Sequence, residues 1–321
     1  MDQSLRSWIE VQALPGRRVV AERDLAGGYS NQNTLITMDD GGEFVLRRYR
    51  GANACAVERA LAGRLTGVVP IPEVIAADDT GKTAGEPVLL STFVHGQQVG
   101  DVLTETTAAE LGREVGATLA AIGSVAFAAP GFFADARLEP GPPGAEPTAG
   151  LDAWVDRCLR EGNAAGHLTE AEQQQLRRYA EEATPRLAAL AGSSRLVHAD
   201  FNPKNLLAAR EGDGWRVVAA LDWEYAFSSS PLYDVGNMLR FPRPAGFEES
   251  FLTGFRVNGG GLPPDWRQLS RALDLYSLAD FLTRPVEHRY FGRAITRIRA
   301  MLAETIRRPR TARPAASAPQ P

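Results

Sequence analysis

Hydrophobic and polar positions change their period near residue 95. Before that point short apolar runs alternate with turn residues. Residues 24–38 read as two strands around the polar turn Gly27-Gly28-Tyr29-Ser30-Asn31. Asp39-Asp40-Gly41-Gly42 is a hairpin signal, and Phe44-Val45-Leu46 continues beyond it as a third strand. Residues 54–65 are rich in Ala and Leu and predict a helix. Pro70 and Pro72 bracket a turn. Residues 74–77 and 87–93 read as two further strands, joined by a turn at Asp78-Asp79-Thr80-Gly81. The first ninety or so residues are therefore expected to be strands with one helix.

Beyond His95-Gly96 the apolar spacing becomes helical. Residues 104–123 carry it, residues 129–150 are a loop rich in Pro, Gly and Ala, and 151–160 fit a short helix. Thr169-Glu170-Ala171-Glu172 is a capping box, so a helix is expected from there towards Leu190. A strand-like island follows at 195–226. Helices resume at about 232–240, 247–257, 265–283 and 287–307. The tail from Arg308, dense in Pro, Ala and Arg, is expected to be disordered. No internal repeat is visible. The order is a β-rich part with one helix, then a helical part interrupted by a polar β island, and that island calls for a chemical explanation.

Composition narrows the options. A chain of 321 residues, 44% of them hydrophobic, suffices for two lobes. A net charge of −4 and a pI near 5.7 argue against a nucleic-acid binder. The two cysteines, Cys55 and Cys158, form no C-x-x-C pair, which removes a cysteine-rich zinc site and suits a reducing compartment. Residues 1–8 lack the apolar core of a signal peptide, and no run approaches the ~20 apolar residues of a membrane helix. The expectation is a cytoplasmic protein, monomeric or homodimeric, with no membrane partner.

The island holds His198-Ala199-Asp200-Phe201-Asn202-Pro203-Lys204-Asn205. After a turn at Glu211-Gly212-Asp213-Gly214, an apolar strand ends in Leu221-Asp222-Trp223-Glu224. Phosphoryl transfer to an alcohol needs a carboxylate for the hydroxyl proton, one or two magnesium ions on the phosphate oxygens, and in-line positioning. Asp200 can be that carboxylate. Asn205 and Asp222 offer the hard oxygen ligands that magnesium prefers, and they stand at the two ends of a hairpin spanning 206–221.

His-x-Asp, an Asn five residues after the Asp, and a hydrophobic hairpin ending in Asp-Trp-Glu resemble the catalytic segment of the aminoglycoside phosphotransferase and choline kinase family. They are also similar to the catalytic loop and metal-binding Asp of protein kinases. The resemblance implies an α+β, protein-kinase-like two-lobed fold. A small β-rich N-lobe would cover residues 1–93, and a larger, mostly helical C-lobe 94–307, ahead of the 308–321 tail. It implies Asp200 as catalytic base, with His198 bracing the loop, and Asn205 and Asp222 as magnesium ligands. Gly28, Ser30 and Asn31 fall in the nucleotide-positioning loop. Arg47 occupies the place of the strand lysine, and Glu58 that of its ion-pair partner. Val45 would cover the base, while Ser91 and Phe93 lie in the segment Leu89–Gly96, which resembles the hinge that receives it. Residues 231–234 resemble the helix start that follows the metal motif.

The implied activity moves the γ-phosphate of ATP, or of GTP, to a hydroxyl of a small molecule. An aminoglycoside, another antibiotic or natural product, a nucleoside and an amino alcohol all stay open as acceptors. Two departures stand out: Arg47 replaces the expected Lys and is not its equivalent, and Asn202 stands where protein kinases carry a Lys, with Lys204 nearby. A protein kinase would need Asp-Phe-Gly and a later Ala-Pro-Glu, and both are missing. A catalytically inactive kinase fold that binds a nucleotide or a partner is the alternative from another class. Residue by residue, plainer roles also exist. Arg47 and Arg48 compete for the inward position, Glu224 reads as a cap or salt-bridge partner, and Asp274, Asp280 and Glu287 as either a solvated helix face or the lining of a cationic acceptor site.

Overall fold

The computed structural model describes residues 1–25, 31–141 and 147–307, with side chains as far as residue 304. The period-2 segments form one antiparallel sheet. Its strands are β1 (Val19–Asp24), β2 (Asn31–Met38), β3 (Glu43–Tyr49), β4 (Val74–Asp78) and β5 (Val88–Thr92), in the order β1-β2-β3-β5-β4. The Asp39–Gly42 turn closes the β2–β3 hairpin, with Gly41 at φ 83°, where a side chain would be strained. Helix α2 (Cys55–Leu65) joins β3 to β4, as its Ala/Leu content predicts.

Alternation along β3 gives it two different faces. Phe44 and Leu46 join Ile36, Met38, Val88 and Leu90 in a buried cluster. On the other face Tyr49 packs with Cys55 and Leu89, on the side of α2. One element was not expected. Helix α1 (Gln3–Ser7) continues into a wider π-type turn, Trp8–Ala13, and inserts Leu5, Trp8 and Ile9 into the first cluster. The reading of one helix in the first ninety residues is corrected accordingly. A five-residue helix is too short to show a period, and its one local sign is Asp2, whose carboxylate accepts the Leu5 N–H at 2.8 Å.

Beyond the sheet come β6 (Gln97–Gln98), α3 (Val99–Val102), α4 (Ala108–Ser124), β7 (Gly131–Phe132), α5 (Leu151–Glu161) and α6 (Glu170–Leu187). The island resolves into β8 (Arg195–Val197), β9 (Leu206–Glu211), β10 (Gly214–Ala220) and β11 (Phe227–Ser229). Helices α7 (Leu232–Met238), α8 (Phe247–Val257), α9 (Trp266–Asp280) and α10 (Arg289–Arg307) follow. Strands β9 and β10 pair from Glu211↔Gly214 back to Leu206↔Ala220, so the hairpin returns residue 221 to the side of residue 205. Helices α4 and α8 pack backbone to backbone through glycines. A Cβ on Gly116 would sit 2.1 Å from the Phe251 carbonyl oxygen, and one on Gly254 would sit 2.2 Å from that of Arg113.

The chain divides into two compact units. The first holds Met1–Ala149 and Leu187–Asp274, and the second Gly150–Arg186 with the helices after Leu275. In the second unit the capping box forms as its residue types require, Thr169 N–H to Glu172 and Glu172 N–H to the Thr169 hydroxyl. Glu172 also pairs with Arg299 at 2.7 Å. No helix among the described residues is long and apolar enough to cross a membrane.

Candidate active site

All the polar groups of the site lie in the first unit and fall into two clusters. The first forms around Arg47. Alternation along β3 aims Arg47 to the α2 side, where its guanidinium reaches Glu58 at 3.3 Å, Asp222 at 2.7 Å and Glu224 at 3.4 Å. Arg48 turns the other way and pairs with Glu86. Arg47, Glu58 and Glu224 are nearly buried, while the Asp222 side chain keeps 30% of its exposure. Burial works against the Arg47 charge, but Glu58 and Asp222 outweigh it and its pKa is raised. Burial pushes the Glu58 carboxyl up to about 7, with Arg47 opposing the rise and Asp222 and Glu224 adding to it. Glu224 is likewise pushed up by burial and by Asp222. One cation among three carboxylates leaves an excess of negative charge, and the Arg47 Nε is buried without a hydrogen-bond partner.

The second cluster is the loop after β8. Asp200 Oδ1 accepts the Asn202 amide at 2.8 Å, and Oδ2 accepts the Asn205 amide at 2.8 Å and the Lys204 ammonium at 3.0 Å. Pro203–Asn205 is a 3-10 turn capped by the Asn202 side chain, and it sets this spacing. His198 is fully buried against Trp223, with ring centroids 4.4 Å apart. Its Nδ1 accepts the Asp200 N–H, so Nε2 carries the proton and donates to the Leu221 carbonyl at 2.9 Å. Burial lowers its pKa, which keeps the ring neutral. One ring nitrogen is thus engaged within the loop and the other at the end of β10.

Leu221 joins the two clusters. Its N–H donates to the Asn205 carbonyl at 2.8 Å while its carbonyl accepts from His198, so Asp222 begins where the loop ends. Ala199 and Asp222 both adopt left-handed backbone, φ 68° and 71°. Such a conformation costs a non-glycine residue ~1 kcal/mol and persists where the surroundings over-determine it. For Ala199 the determinant is Asp234, on α7. Its fully buried carboxylate accepts the N–H groups of His198 at 2.7 Å and Ala199 at 2.9 Å, and Asn237 donates to the Ala199 carbonyl. Burial raises the Asp234 pKa to about 7.

The remaining expected residues are placed as follows. Asn31 opens β2, but its side chain bonds Glu224 at 2.6 Å and the Arg50 N–H, so it ties the strand to Glu224. Val45 and Ser91 are paired neighbours on β3 and β5, with Ser91 buried and Val45 half-buried. The Phe93 N–H donates to the Glu43 carbonyl, and its ring is half-buried. Gly27, Gly28, Tyr29 and Ser30 lie outside the described residues. Asp274 is not solvated: it is buried in a two-pronged pair with Arg240, at 2.7 and 2.9 Å. Asp280 bonds Arg284. Sequence reasoning did not single out Asp234, Leu221 or the link from Asn31 to Glu224. Only Asp234 left a sign, inside the 231–234 motif.

An antiparallel sheet holding a buried Arg–Glu pair, followed by a helical region that presents an Asp–Asn loop and a hairpin ending in Asp, defines the protein-kinase-like class of small-molecule kinases. The sequence model of the phosphotransferase enzyme family (APH) matches residues 22–271, and the chain belongs to that family. No curated protein sequence matches it. Among solved structures it is similar to a thermostable mutant of aminoglycoside phosphotransferase APH(4)-Ia in ternary complex with ADP and hygromycin B. Identity is 19%, coverage 89% of this chain and 94% of that one, and the TM-score 0.66. It is also similar to the apoenzyme of macrolide 2'-phosphotransferase MphH from Brachybacterium faecium, with 19% identity, coverage of 92% and 96%, and a TM-score of 0.57. These likenesses establish the protein-kinase-like fold, and the family establishes a phosphotransferase.

Proposed function

We propose that the protein transfers the γ-phosphate of ATP or GTP to a hydroxyl of a small molecule, with magnesium. The observation that carries this reading is the crowding of three carboxyl groups around the one Arg47 guanidinium, beside a loop whose carboxylate is already oriented. A buried acidic excess favours the entry of cations, and a magnesium–nucleotide complex brings them with the phosphates that the Arg47 guanidinium and its unpartnered Nε would meet.

Among the described residues no group of three or more His, Cys, Asp or Glu side chains is arranged for a metal ion. Magnesium takes one or two protein oxygens and completes its shell with phosphates and water. Asp222 and Asn205 would hold it. Asn205 donates its amide nitrogen to Asp200, which leaves the oxygen as the ligand atom. The bound ion would neutralise charge on the phosphate oxygens. Asp200 would accept the hydroxyl proton, Asn202 and Asn205 would fix its carboxylate, and His198 and Asp234 would hold the loop. Val45, Ser91 and Phe93 would line the base site. ADP and hygromycin B, bound together in the similar APH(4)-Ia structure, support a nucleotide and a small-molecule acceptor.

The test is a turnover screen of the full chain with magnesium and either ATP or GTP. Acceptors would include aminoglycosides, macrolides, nucleosides and amino alcohols, with phosphorylated product read by mass. Product from one acceptor class is the expected result. Nucleotide binding with no product and no nucleotide hydrolysis would favour the inactive kinase fold instead.

A further inference from the structure

Six buried side-chain nitrogen and oxygen atoms among the described residues have no hydrogen-bond partner, and three of them lie together: Nε of Arg47, Oε1 of Glu58 and the hydroxyl of Tyr49. Buried polar atoms are nearly always paired, because an unpaired one gives up its hydration for nothing. Three in one place call for a cause. Period two puts Tyr49 on the face of β3 that carries Arg47, and the guanidinium lies over the Tyr49 ring, 5.4 Å from its centroid. The ring packs against Cys55, the first residue of α2. Glu58 follows one turn later on the same side of that helix.

The hydroxyl and the carboxyl act on each other. Burial and then Glu58 hold the Tyr49 hydroxyl above its usual range, and Tyr49 in turn works to lower the pKa of Glu58. Yet no hydrogen bond joins them. The 3.3 Å contact between Arg47 and Glu58 is an ion pair without a hydrogen bond, since it is made by the unpartnered Oε1. The Arg47 Nη2 donates to Asp222 instead, at 2.7 Å. The cluster therefore holds two donors, Nε and the hydroxyl, and one acceptor, Oε1. One further acceptor would balance it, and a phosphate oxygen is such a group.

We propose that Tyr49 is a positioning residue that takes over Glu58 when a nucleotide binds: its hydroxyl donates to Oε1 while the Arg47 guanidinium turns its Nε to a phosphate oxygen. The proposal rests on the nucleotide reading above. Without this exchange, a guanidinium drawn to the phosphates would leave a buried carboxylate unpaired, which is costly. With it, each of the three atoms gains a partner. The hydroxyl bond forms only in the bound state, so it adds to nucleotide affinity and not to the stability of the free chain. No proton changes hands in the exchange.

The test uses the full chain and its Tyr49→Phe, Glu58→Gln and double variants. Thermal midpoints are read without nucleotide, and affinity for a non-hydrolysable triphosphate with magnesium is read by calorimetry. Phe keeps the ring under Arg47 and removes only an unpaired buried hydroxyl, so Tyr49→Phe is expected to unfold at or above the parent's midpoint. Its triphosphate affinity is expected to fall by about tenfold, the scale of one hydrogen bond to a charged group. In the Glu58→Gln background the acceptor is neutral and the bond about half as strong, so the same change should cost about threefold. A purely structural hydroxyl would lower the midpoint of the free chain and leave this difference between backgrounds absent. An undiminished affinity in Tyr49→Phe, a lowered midpoint in that variant, or an equal loss in both backgrounds overturns the exchange. A parent chain that does not bind the triphosphate overturns the nucleotide reading, and the exchange with it.

Discussion

Around Arg47 three carboxylates share one guanidinium, whereas at Asp200 three donors share one carboxylate. The two arrangements sit at the two ends of one hairpin, joined through Leu221. The first is short of positive charge and buried, so a carboxyl such as Glu58 is pushed up to about 7. The second is fully supplied with donors. The difference teaches that the two halves of the site are prepared in different ways. The Asp200 carboxylate is held by donors from its own loop, while the carboxyl groups around Arg47 outnumber the guanidinium they share.

The largest effect is expected where the halves meet. Asp222→Ala removes the carboxylate that bridges Arg47 and the proposed metal, and phosphate transfer should fall below detection in a turnover assay. At Asp200 the change is of another kind. Asp200→Asn keeps the hydrogen-bonded shape but cannot take a proton, so kcat should drop by about 10²–10⁴ while nucleotide affinity stays within about twofold. Equal losses in kcat and affinity would erase the contrast between the halves.

Arg47→Ala strips the one cation from the acidic half. Breaking such a buried pairing costs about 3–5 kcal/mol of stability, and nucleotide affinity should weaken by about tenfold or more. Denaturant unfolding and calorimetry would read the two effects. Asp234→Asn sharpens the other half, because the amide returns only one acceptor to the His198 and Ala199 N–H groups, a loss of about 1–3 kcal/mol. Its pH dependence has a definite sign. The folded pKa of Asp234 is raised to about 7 from 3.8, so its contribution is complete below pH 3.8 and is lost as pH rises through about 7. The stability gap between parent and variant should therefore shrink from pH 5 to pH 8. A gap that widens would reverse the assignment. Arg48→Ala is the mild member of the set. It removes only the pair with Glu86, and should shift stability by no more than about 1 kcal/mol and leave nucleotide affinity alone.

The elements with a strong period were legible in the sequence. The Asp-Asp-Gly-Gly turn, the β9–β10 hairpin and helix α8 come from residue types whose local preference and burial agree. Period two set Arg47 and Arg48 on opposite faces of β3, and the resemblance to the strand lysine of kinases was what put Arg47 inward. What stayed hidden depends on contacts remote in sequence. α1 is short and is held by Leu5, Trp8 and Ile9 meeting the sheet. The partners of Arg47 include Asp222 and Glu224, more than 170 residues away, and no spacing rule reaches that far. Asp274, between Leu273 and Leu275 on α9, was open to a solvated or an acceptor-lining reading, because its partner Arg240 lies 34 residues away. Asp234 serves backbone N–H groups, and a backbone donor leaves no mark on the sequence of the loop it belongs to.

The acidic half around Arg47 is proposed as the magnesium–nucleotide site. The most direct measurement is calorimetric titration of the full chain with a non-hydrolysable triphosphate, with magnesium and with chelator, repeated on Asp222→Ala. The account predicts that magnesium tightens binding to the parent by about tenfold or more and that the variant loses this response. Equal affinities with and without magnesium in the parent, or an undiminished magnesium response in Asp222→Ala, would contradict it.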